Sequence, residues 1–293
     1  MEKFLIWTFT FSWIIQAGVG ILYKYDLEMI GRFLMIPLMY IPLIGVLVSG
    51  NKLAGMGWKP EIKSNIKYIL IAWFSPAILI FIGVVLYFLF FPSHFDLSGE
   101  YMVEIAGPKV LEQLKEKGLT YGKYIIVSII NCLTYAPLFN MFVAVGEEAG
   151  WRGYLYPKLK EKYGKIQGWL YGGIIWSIWH WPIIWFIGYE YGKDYVGFPV
   201  VGMLLFCIFT TTSGIICDWL YERTHCIWVP SIIHGAINAS ATVTLAVCIT
   251  NVGSKRLLGP GPMGLISVIP FVLFSIVIII QEKKKEKNSL KNE

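Results

Sequence analysis

Long apolar segments recur along the whole of this chain and constrain its fold more than any other feature. A helix that crosses a membrane needs about 20 mostly apolar residues, and eight segments meet that requirement. Only 15% of the residues are charged, whereas soluble domains carry about 25%. We therefore predict an all-α integral membrane protein with eight transmembrane helices. The predicted helices lie at residues 4–23, 30–50, 68–91, 124–156, 166–188, 196–220, 226–250 and 263–280.

The succession of helices predicts a single polytopic membrane domain over residues 1–293. Residues 1–123 hold three helices and a long loop, in which the segment PKVLEQLKEKG predicts a short amphipathic helix. Residues 124–250 form a core that carries most of the unusual polar groups. The last helix, at 263–280, leads into a basic tail at 281–293. No soluble domain or clear internal repeat interrupts this arrangement.

The distribution of Lys and Arg predicts the topology. Cytosolic loops of membrane proteins carry an excess of both residues, and most of the 25 lie on one side if both termini face the cytosol. The tail QEKKKEKNSLKNE belongs to that side. The net charge of +6 suits anionic lipid headgroups, so it implies no nucleic acid partner. We therefore predict a multi-pass protein of the cell membrane whose termini are both cytosolic.

Three short polar motifs interrupt the apolar helices in the second half of the chain. A charge in the middle of a bilayer costs about 2.5–3.5 kcal/mol on insertion scales, so such residues usually face a cavity or a partner. The first motif is EEAGWR, which begins at Glu147. Glu148 and Arg152 are four residues apart and can pair on one helix face. Glu147 points about 100° away from that pair and lacks the same partner.

The second motif, WSIWH, places His180 deep within its helix, and the third, HGAIN, places His234 and Asn238 on one face. Each motif alone has an ordinary structural explanation, such as a surface ion pair, a core histidine or interhelical hydrogen bonds. Together they supply one carboxylate, two imidazoles and one carboxamide from three helices. Such groups activate a water molecule and stabilise an oxyanion, so the set predicts a hydrolytic site.

The three motifs resemble those of the CAAX-protease and bacteriocin-processing superfamily, also called the Abi family. EEAGWR is similar to its EExxxR motif, and HGAIN is similar to its HxxxN motif. WSIWH is similar to its aromatic-xxx-His motif, with Trp176 where Phe is commoner. The order of the motifs and the eight predicted helices resemble the Ras-converting enzyme branch, the type II CAAX prenyl endopeptidases.

The resemblance implies an intramembrane endopeptidase that removes the C-terminal tripeptide from prenylated CaaX proteins. It implies that Glu147 and His180 activate the attacking water. It also implies that His234 and Asn238 stabilise the oxyanion. The expected partners are then a prenylated protein C-terminus and membrane lipid.

The resemblance assigns Glu148 and Arg152 a supporting role, in which they orient Glu147. A metal-dependent alternative stays open, because Glu147, His180 and His234 are possible ligands of a zinc ion with an open fourth position. Glu148 would then be the base, and its expected pairing with Arg152 argues against that role. The chain also lacks an HExxH motif. We predict a glutamate-dependent protease without a cofactor.

The depth of Glu147 imposes a condition on its helix. If that helix ended at Glu147, the carboxylate would lie at the membrane surface while His180 lay deep in the bilayer. We therefore predict that the helix continues through Trp151 toward Pro157, which puts Glu147 about 15 Å below that proline. This arrangement predicts a water-filled catalytic chamber that opens to the cytosol.

Two other functions are compatible with the same residues. The first is a peptidase of the same superfamily that acts on bacteriocin leaders or other membrane peptides, with a role in immunity. The second is a non-enzymatic ion or proton pathway, because intramembrane Glu, His and Asn residues also line such pathways. Inverted repeats or paired broken helices would favour a transporter, and neither pattern is found in the sequence.

Overall fold

A computed structural model describes residues 1–292 of the chain. These residues are mostly helical and form no β-strand, apart from one isolated bridge between Phe95 and Cys248. The α-helices are α1 (Glu2–Lys24), α2 (Glu28–Leu38), α3 (Ile41–Val48), α4 (Ile62–Phe90), α5 (Glu100–Ala106), α6 (Lys109–Glu116), α7 (Tyr121–Leu133), α8 (Ala136–Gly150), α9 (Tyr156–Tyr163), α10 (Lys165–Ile187), α11 (Val200–Thr224), α12 (Trp228–Ala246) and α13 (Ile269–Asn292).

Four of the described helices, α1, α4, α10 and α11, are long and apolar enough to cross a membrane. Two bent pairs raise the number to six if each pair is one span. The first pair is α2 with α3, bent by 44°, and the second is α7 with the continuous helix Ala136–Tyr163, bent by 56°. The all-helical prediction is confirmed with four to six candidate spans. Eight spans are not confirmed and stay a prediction.

The two remaining predicted spans, 226–250 and 263–280, coincide only in part with α12 and α13, neither of which qualifies as a candidate span. In α12, polar side chains such as His234 and Asn238 dilute the apolar content. The segment before Ile269 forms turns, and the charges of α13 begin at Glu282, so its apolar part is short.

The helix that carries the first polar motif continues well beyond the motif. It begins at Ala136 with Pro137 in its first turn, where the missing N–H of proline leaves no hydrogen bond unmade. After Gly150 the chain passes through a π-helical turn, Trp151–Leu155, directly into α9. The prediction that this helix continues past Trp151 is therefore confirmed. Turns of this kind are frequent at functional sites.

Glycines bring the surrounding helices close to α8 and α12. A side chain at Gly235 of α12 would overlap the backbone of α8, because its Cβ would lie 2.6 Å from the carbonyl oxygen of Pro137. A Cβ atom at Gly146 of α8 would likewise lie 2.6 Å from the carbonyl oxygen of Met39, between α2 and α3. Most of α12 is buried. The two helices that carry the first and third polar motifs, α8 and α12, therefore pack closely against each other inside the bundle.

One end of the bundle is held by a network of ion pairs. Lys160 of α9 pairs with Asp218 and Glu222 of α11 at 2.5 and 2.8 Å. Lys165 at the start of α10 bridges Glu222 and Glu282 of α13, each at 2.7 Å. These contacts link four helices at the end of the bundle that carries the basic tail.

Candidate active site

The four predicted catalytic residues line one cavity. Glu147 comes from α8, His180 from α10, and His234 and Asn238 come from α12. The cavity volume is about 90 Å³, well above the roughly 10–15 Å³ that one water molecule requires. Most of the remaining lining is apolar and includes Met35, Leu38, Met39, Ile183, Phe206 and Met263. A few polar groups therefore converge on a largely apolar space.

Glu147 is fixed through one of its two carboxylate oxygens. Its Oε2 atom accepts hydrogen bonds from the indole N–H of Trp176 at 2.7 Å and of Trp151 at 3.1 Å. Glu147 is only 2% exposed, and its Oε1 atom accepts no hydrogen bond from residues 1–292. Because Glu147 lines the cavity, Oε1 is the oxygen available to a bound molecule.

His180 is oriented by the backbone of its own helix. Its Nδ1 atom lies 2.9 Å from the carbonyl oxygen of Trp176. A carbonyl only accepts hydrogen bonds, so Nδ1 donates, and Nε2 of the neutral ring carries the lone pair. The ring packs between Trp179 and Phe206, with centroids 4.6 and 4.8 Å away, and Tyr189 stacks nearly parallel to it at 6.2 Å. Nε2 is thus suited to accept a hydrogen bond from water.

His234 is oriented by Glu148. Its Nδ1 atom donates to Oε1 of Glu148 at 2.8 Å, and the same oxygen accepts a hydrogen bond from Nη1 of Arg152 at 2.9 Å. Glu148 and Arg152 are completely buried. The ring of His234 also meets the ring of Trp176 edge-on, with centroids 5.4 Å apart. Nε2 of His234 forms no hydrogen bond with the described residues.

The observed contacts add a second partner to the expected supporting role of Glu148 and Arg152. The two residues are expected to orient Glu147, and their direct hydrogen bonds lead to His234. Successive residues of a helix point about 100° apart, so Glu148 is directed toward α12 while Glu147 is directed toward α10. Arg152 reaches Glu147 only indirectly, because its guanidinium lies 4.4 Å from the ring centroid of Trp176.

Asn238 lies one helical turn after His234 and also lines the cavity. Its carboxamide forms no hydrogen bond with any residue of 1–292, so both its donor and its acceptor are available. An amide can donate two N–H groups. His234 and Asn238 therefore present polar groups to the cavity from the same face of α12.

Three residues in this site were not assigned a role from sequence. Trp151 and Trp176 donate to Glu147, and Tyr189 stacks on His180. The spacing of four residues between Glu147 and Trp151 indicates that they share a helix face, so this contact could be predicted from the sequence. The contact between Trp176 and Glu147 joins two helices, and no local spacing indicates it.

The zinc alternative requires Glu147, His180 and His234 to surround one ion. Within residues 1–292, no group of three or more His, Cys, Asp or Glu side chains is arranged to hold a metal ion. The three residues line one cavity but do not form a ligand set, so no chemical step is assigned to a metal. Catalysis without a cofactor stays a prediction that requires its own experiment.

Comparison with known proteins identifies a related family. A family model described as type II CAAX prenyl endopeptidase Rce1-like matches residues 129–240, which include all three polar motifs. The protein named CAAX prenyl protease 2 of Methanococcus maripaludis is 32% identical to this chain over 80 residues. That alignment spans 27% of this chain and 29% of the relative.

Proposed function

We propose that the chain is a membrane endopeptidase of the Rce1-like CAAX prenyl endopeptidase family, within the CAAX-protease and bacteriocin-processing superfamily, because it resembles that family over residues 129–240 and a named CAAX prenyl protease over 80 residues. Its proposed reaction removes the C-terminal tripeptide from prenylated CaaX proteins. The observation that carries the proposal is that Glu147, His180, His234 and Asn238 line a single cavity. The apolar remainder of the lining suits a lipid-modified substrate.

In the proposed first step, a water molecule is held between Oε1 of Glu147 and Nε2 of His180. Glu147 takes one proton while the water oxygen bonds to the scissile carbonyl carbon. The carbonyl oxygen then becomes an oxyanion. When the intermediate collapses, the C–N bond breaks and the proton passes from Glu147 to the leaving amine. The immediate products are a carboxylic acid and an amine, and transfer of the acid's proton to the amine gives a carboxylate and an ammonium group, so protons and electrons balance.

The oxyanion is stabilised by donors from α12. We assign this role to Nε2 of His234 and to the amide N–H of Asn238. His234 already donates from Nδ1 to Glu148, so it must carry both ring protons to donate from Nε2 as well. The Glu148 carboxylate balances the positive charge that results. Loss of one such donor typically lowers kcat by about 10²–10³.

The proposal includes eight spans with both termini in the cytosol and a chamber open to that side. The cytosolic position of this end is supported by the ion pairs of Lys160, Lys165 and Arg223, which lie at the end of the bundle that carries the basic tail. An excess of Lys and Arg is typical of cytosolic ends. A prenylated C-terminus would reach the membrane from this side.

The proposal is tested with purified protein in detergent and a pair of CaaX peptides, one farnesylated and one unmodified. We expect wild type to cleave the farnesylated peptide at least about 10-fold faster and Glu147→Gln to lose activity by about 10³ or more. Glu161→Gln, at an exposed position of α9, is the matched control and should retain full activity.

Each other outcome identifies a different function. Equal cleavage of both peptides would favour a peptidase for bacteriocin leaders or other membrane peptides. Absence of cleavage by well-folded wild type would favour a non-enzymatic ion or proton pathway. Cleavage by Glu147→Gln at the wild-type rate would overturn the assignment of the base.

A further inference from the structure

Trp176 contacts three of the four proposed catalytic residues. Its indole N–H donates to Oε2 of Glu147, and its carbonyl oxygen accepts from Nδ1 of His180. Its ring also meets the ring of His234 edge-on. Trp176 is 3% exposed, so these contacts lie inside the protein. One residue therefore fixes the relative positions of both groups proposed to bind the attacking water.

Trp151 provides a second indole N–H to the same oxygen of Glu147. An indole N–H only donates, so neither tryptophan can accept or transfer the proton that the reaction moves. Trp151 is completely buried and lies at the start of the π-helical turn that follows α8. The two donors come from different helices and hold Oε2 from two directions, which prevents the carboxylate from rotating and exchanging its oxygens.

Arg152, which does not line the cavity, supports this arrangement. Its guanidinium lies 4.4 Å from the ring centroid of Trp176 and 4.8 Å from that of Tyr156. A cation over an aromatic face attracts the ring electrostatically, most strongly for tryptophan. The buried guanidinium therefore holds the Trp176 ring in the orientation from which it donates to Glu147.

We propose that Trp176 and Trp151 are positioning residues that hold Oε2 of Glu147 and leave Oε1 as the oxygen that takes the proton from water. This inference rests on the proposed function. A phenylalanine at position 176 would fill similar space but would have no N–H to donate. The protein therefore uses the additional donor of tryptophan to orient its general base.

The test compares three Trp→Phe variants that keep an aromatic ring and remove one N–H. Trp176→Phe and Trp151→Phe each remove a donor to Glu147. Trp169→Phe is the matched control, because Trp169 is completely buried on the same helix as Trp176 and donates to Asp218 at 2.6 Å and not to Glu147. For each variant, kcat and KM on the farnesylated peptide are measured together with Tm in detergent.

We expect Trp176→Phe to lower kcat at least about 10-fold with KM changed less than about 3-fold, because misplacement of a reacting group acts on the chemical step. Trp151→Phe should show the same pattern with a smaller loss, since its hydrogen bond is longer. The pH–rate profile should change in both variants. Trp169→Phe should keep the wild-type kcat and pH–rate profile even if its Tm falls.

The outcomes separate this inference from the proposed function. If wild type cleaves the peptide and both Trp176→Phe and Trp151→Phe keep the wild-type kcat and pH–rate profile, the positioning role is wrong while the proposed function stands. If kcat falls in all three variants in proportion to the fall in Tm, the two tryptophans have only a structural role. If wild type itself does not cleave, the proposed function fails first.

Discussion

Nδ1 of His234 donates a hydrogen bond to Oε1 of Glu148 at 2.8 Å, although the two residues are 86 positions apart in the sequence. The same oxygen accepts from Arg152, and Glu148 and Arg152 are fully buried. A buried carboxylate thus lies between a guanidinium and an imidazole. Its charge is compensated on both sides, which is a requirement for keeping ionised groups inside an apolar bundle.

Replacement of Glu148 by Gln should impair both stability and activity. It leaves the charge of Arg152 uncompensated, and removal of one partner from a buried pair costs about 3–5 kcal/mol. It also removes the carboxylate that supports a doubly protonated His234, so kcat should fall about 10²-fold. Tm in detergent and kcat on the farnesylated peptide measure the two effects.

The matched control is Glu28→Gln. Glu28 and Arg32 form a pair with the same spacing of four residues, but both side chains are about half exposed. Surface pairs contribute about 0–1 kcal/mol, so neither Tm nor kcat should change appreciably. If Glu148→Gln behaved like this control, the buried pair would have no part in holding His234.

Replacement of Asn238 by Ala should lower kcat by about 10²–10³ while Tm changes little, because the carboxamide contributes an oxyanion donor and bonds to no described residue. Asn140→Ala is the control, because Asn140 is also half-buried but donates to the carbonyl oxygen of Ala136 within α8. Wild-type kcat in Asn238→Ala would contradict the proposed role of this residue. Steady-state kinetics on purified protein measure the effect.

Removal of metal should leave hydrolysis intact. We expect purified protein treated with EDTA or phenanthroline to keep most of its activity, because the proposed base is Glu147 and no described cluster of three possible ligands is arranged around an ion. A zinc-dependent peptidase treated in parallel shows that the chelators work. Activity that disappears on chelation and returns with Zn²⁺ would show that the metal-free prediction is wrong.

The ion pairs of Glu282 should contribute stability that depends on pH. Burial raises the pKa of this carboxyl, but hydrogen bonds from Lys165, Arg223 and Lys285 outweigh it and lower the pKa from 4.5 to about 2. Because the pKa is lower in the folded state than in the unfolded state, the ionised carboxylate stabilises the fold above about pH 4.5. This stabilisation is lost as pH falls toward 2. The difference in Tm between wild type and Glu282→Gln should therefore shrink on acidification.

Glu286→Gln is the control for this comparison, because Glu286 is exposed on the same helix. The Tm of Glu286→Gln should equal that of wild type at each pH between 7 and 3. A difference between wild type and Glu282→Gln that is unchanged or larger at pH 3 would contradict the stabilising role of the carboxylate. Thermal unfolding in detergent at a series of pH values gives both curves.

Thiol labelling on intact cells should establish the topology. Ser289→Cys lies in the basic tail and Ser98→Cys lies in the loop between α4 and α5, and both side chains are exposed. With cytosolic termini, a membrane-impermeant thiol reagent should label Ser98→Cys and spare Ser289→Cys until the cells are opened. The opposite pattern would reverse the predicted orientation.

Much of the site could be predicted from the sequence, because intramembrane polar residues are few and their spacing is local information. Glu147, His180, His234 and Asn238 are recognisable as polar groups in apolar helices, and the structure places all four on one cavity. The continuation of the helix past Trp151 was predicted because Glu147 must lie as deep in the membrane as His180. The number of spans was harder to predict, because short or polar helices such as α12 are held in place by packing against other helices rather than by their own hydrophobicity.

The sequence by itself determined which segments are helical and which polar side chains share a helix face, since both depend on neighbours within about one turn. Only the tertiary structure decided the partners across helices: Glu148 with His234, and Glu147 with Trp176. Those pairings depend on how glycine-lined surfaces bring helices together and on the rotation of each helix in the bundle. Neither quantity is expressed in the local spacing of residues.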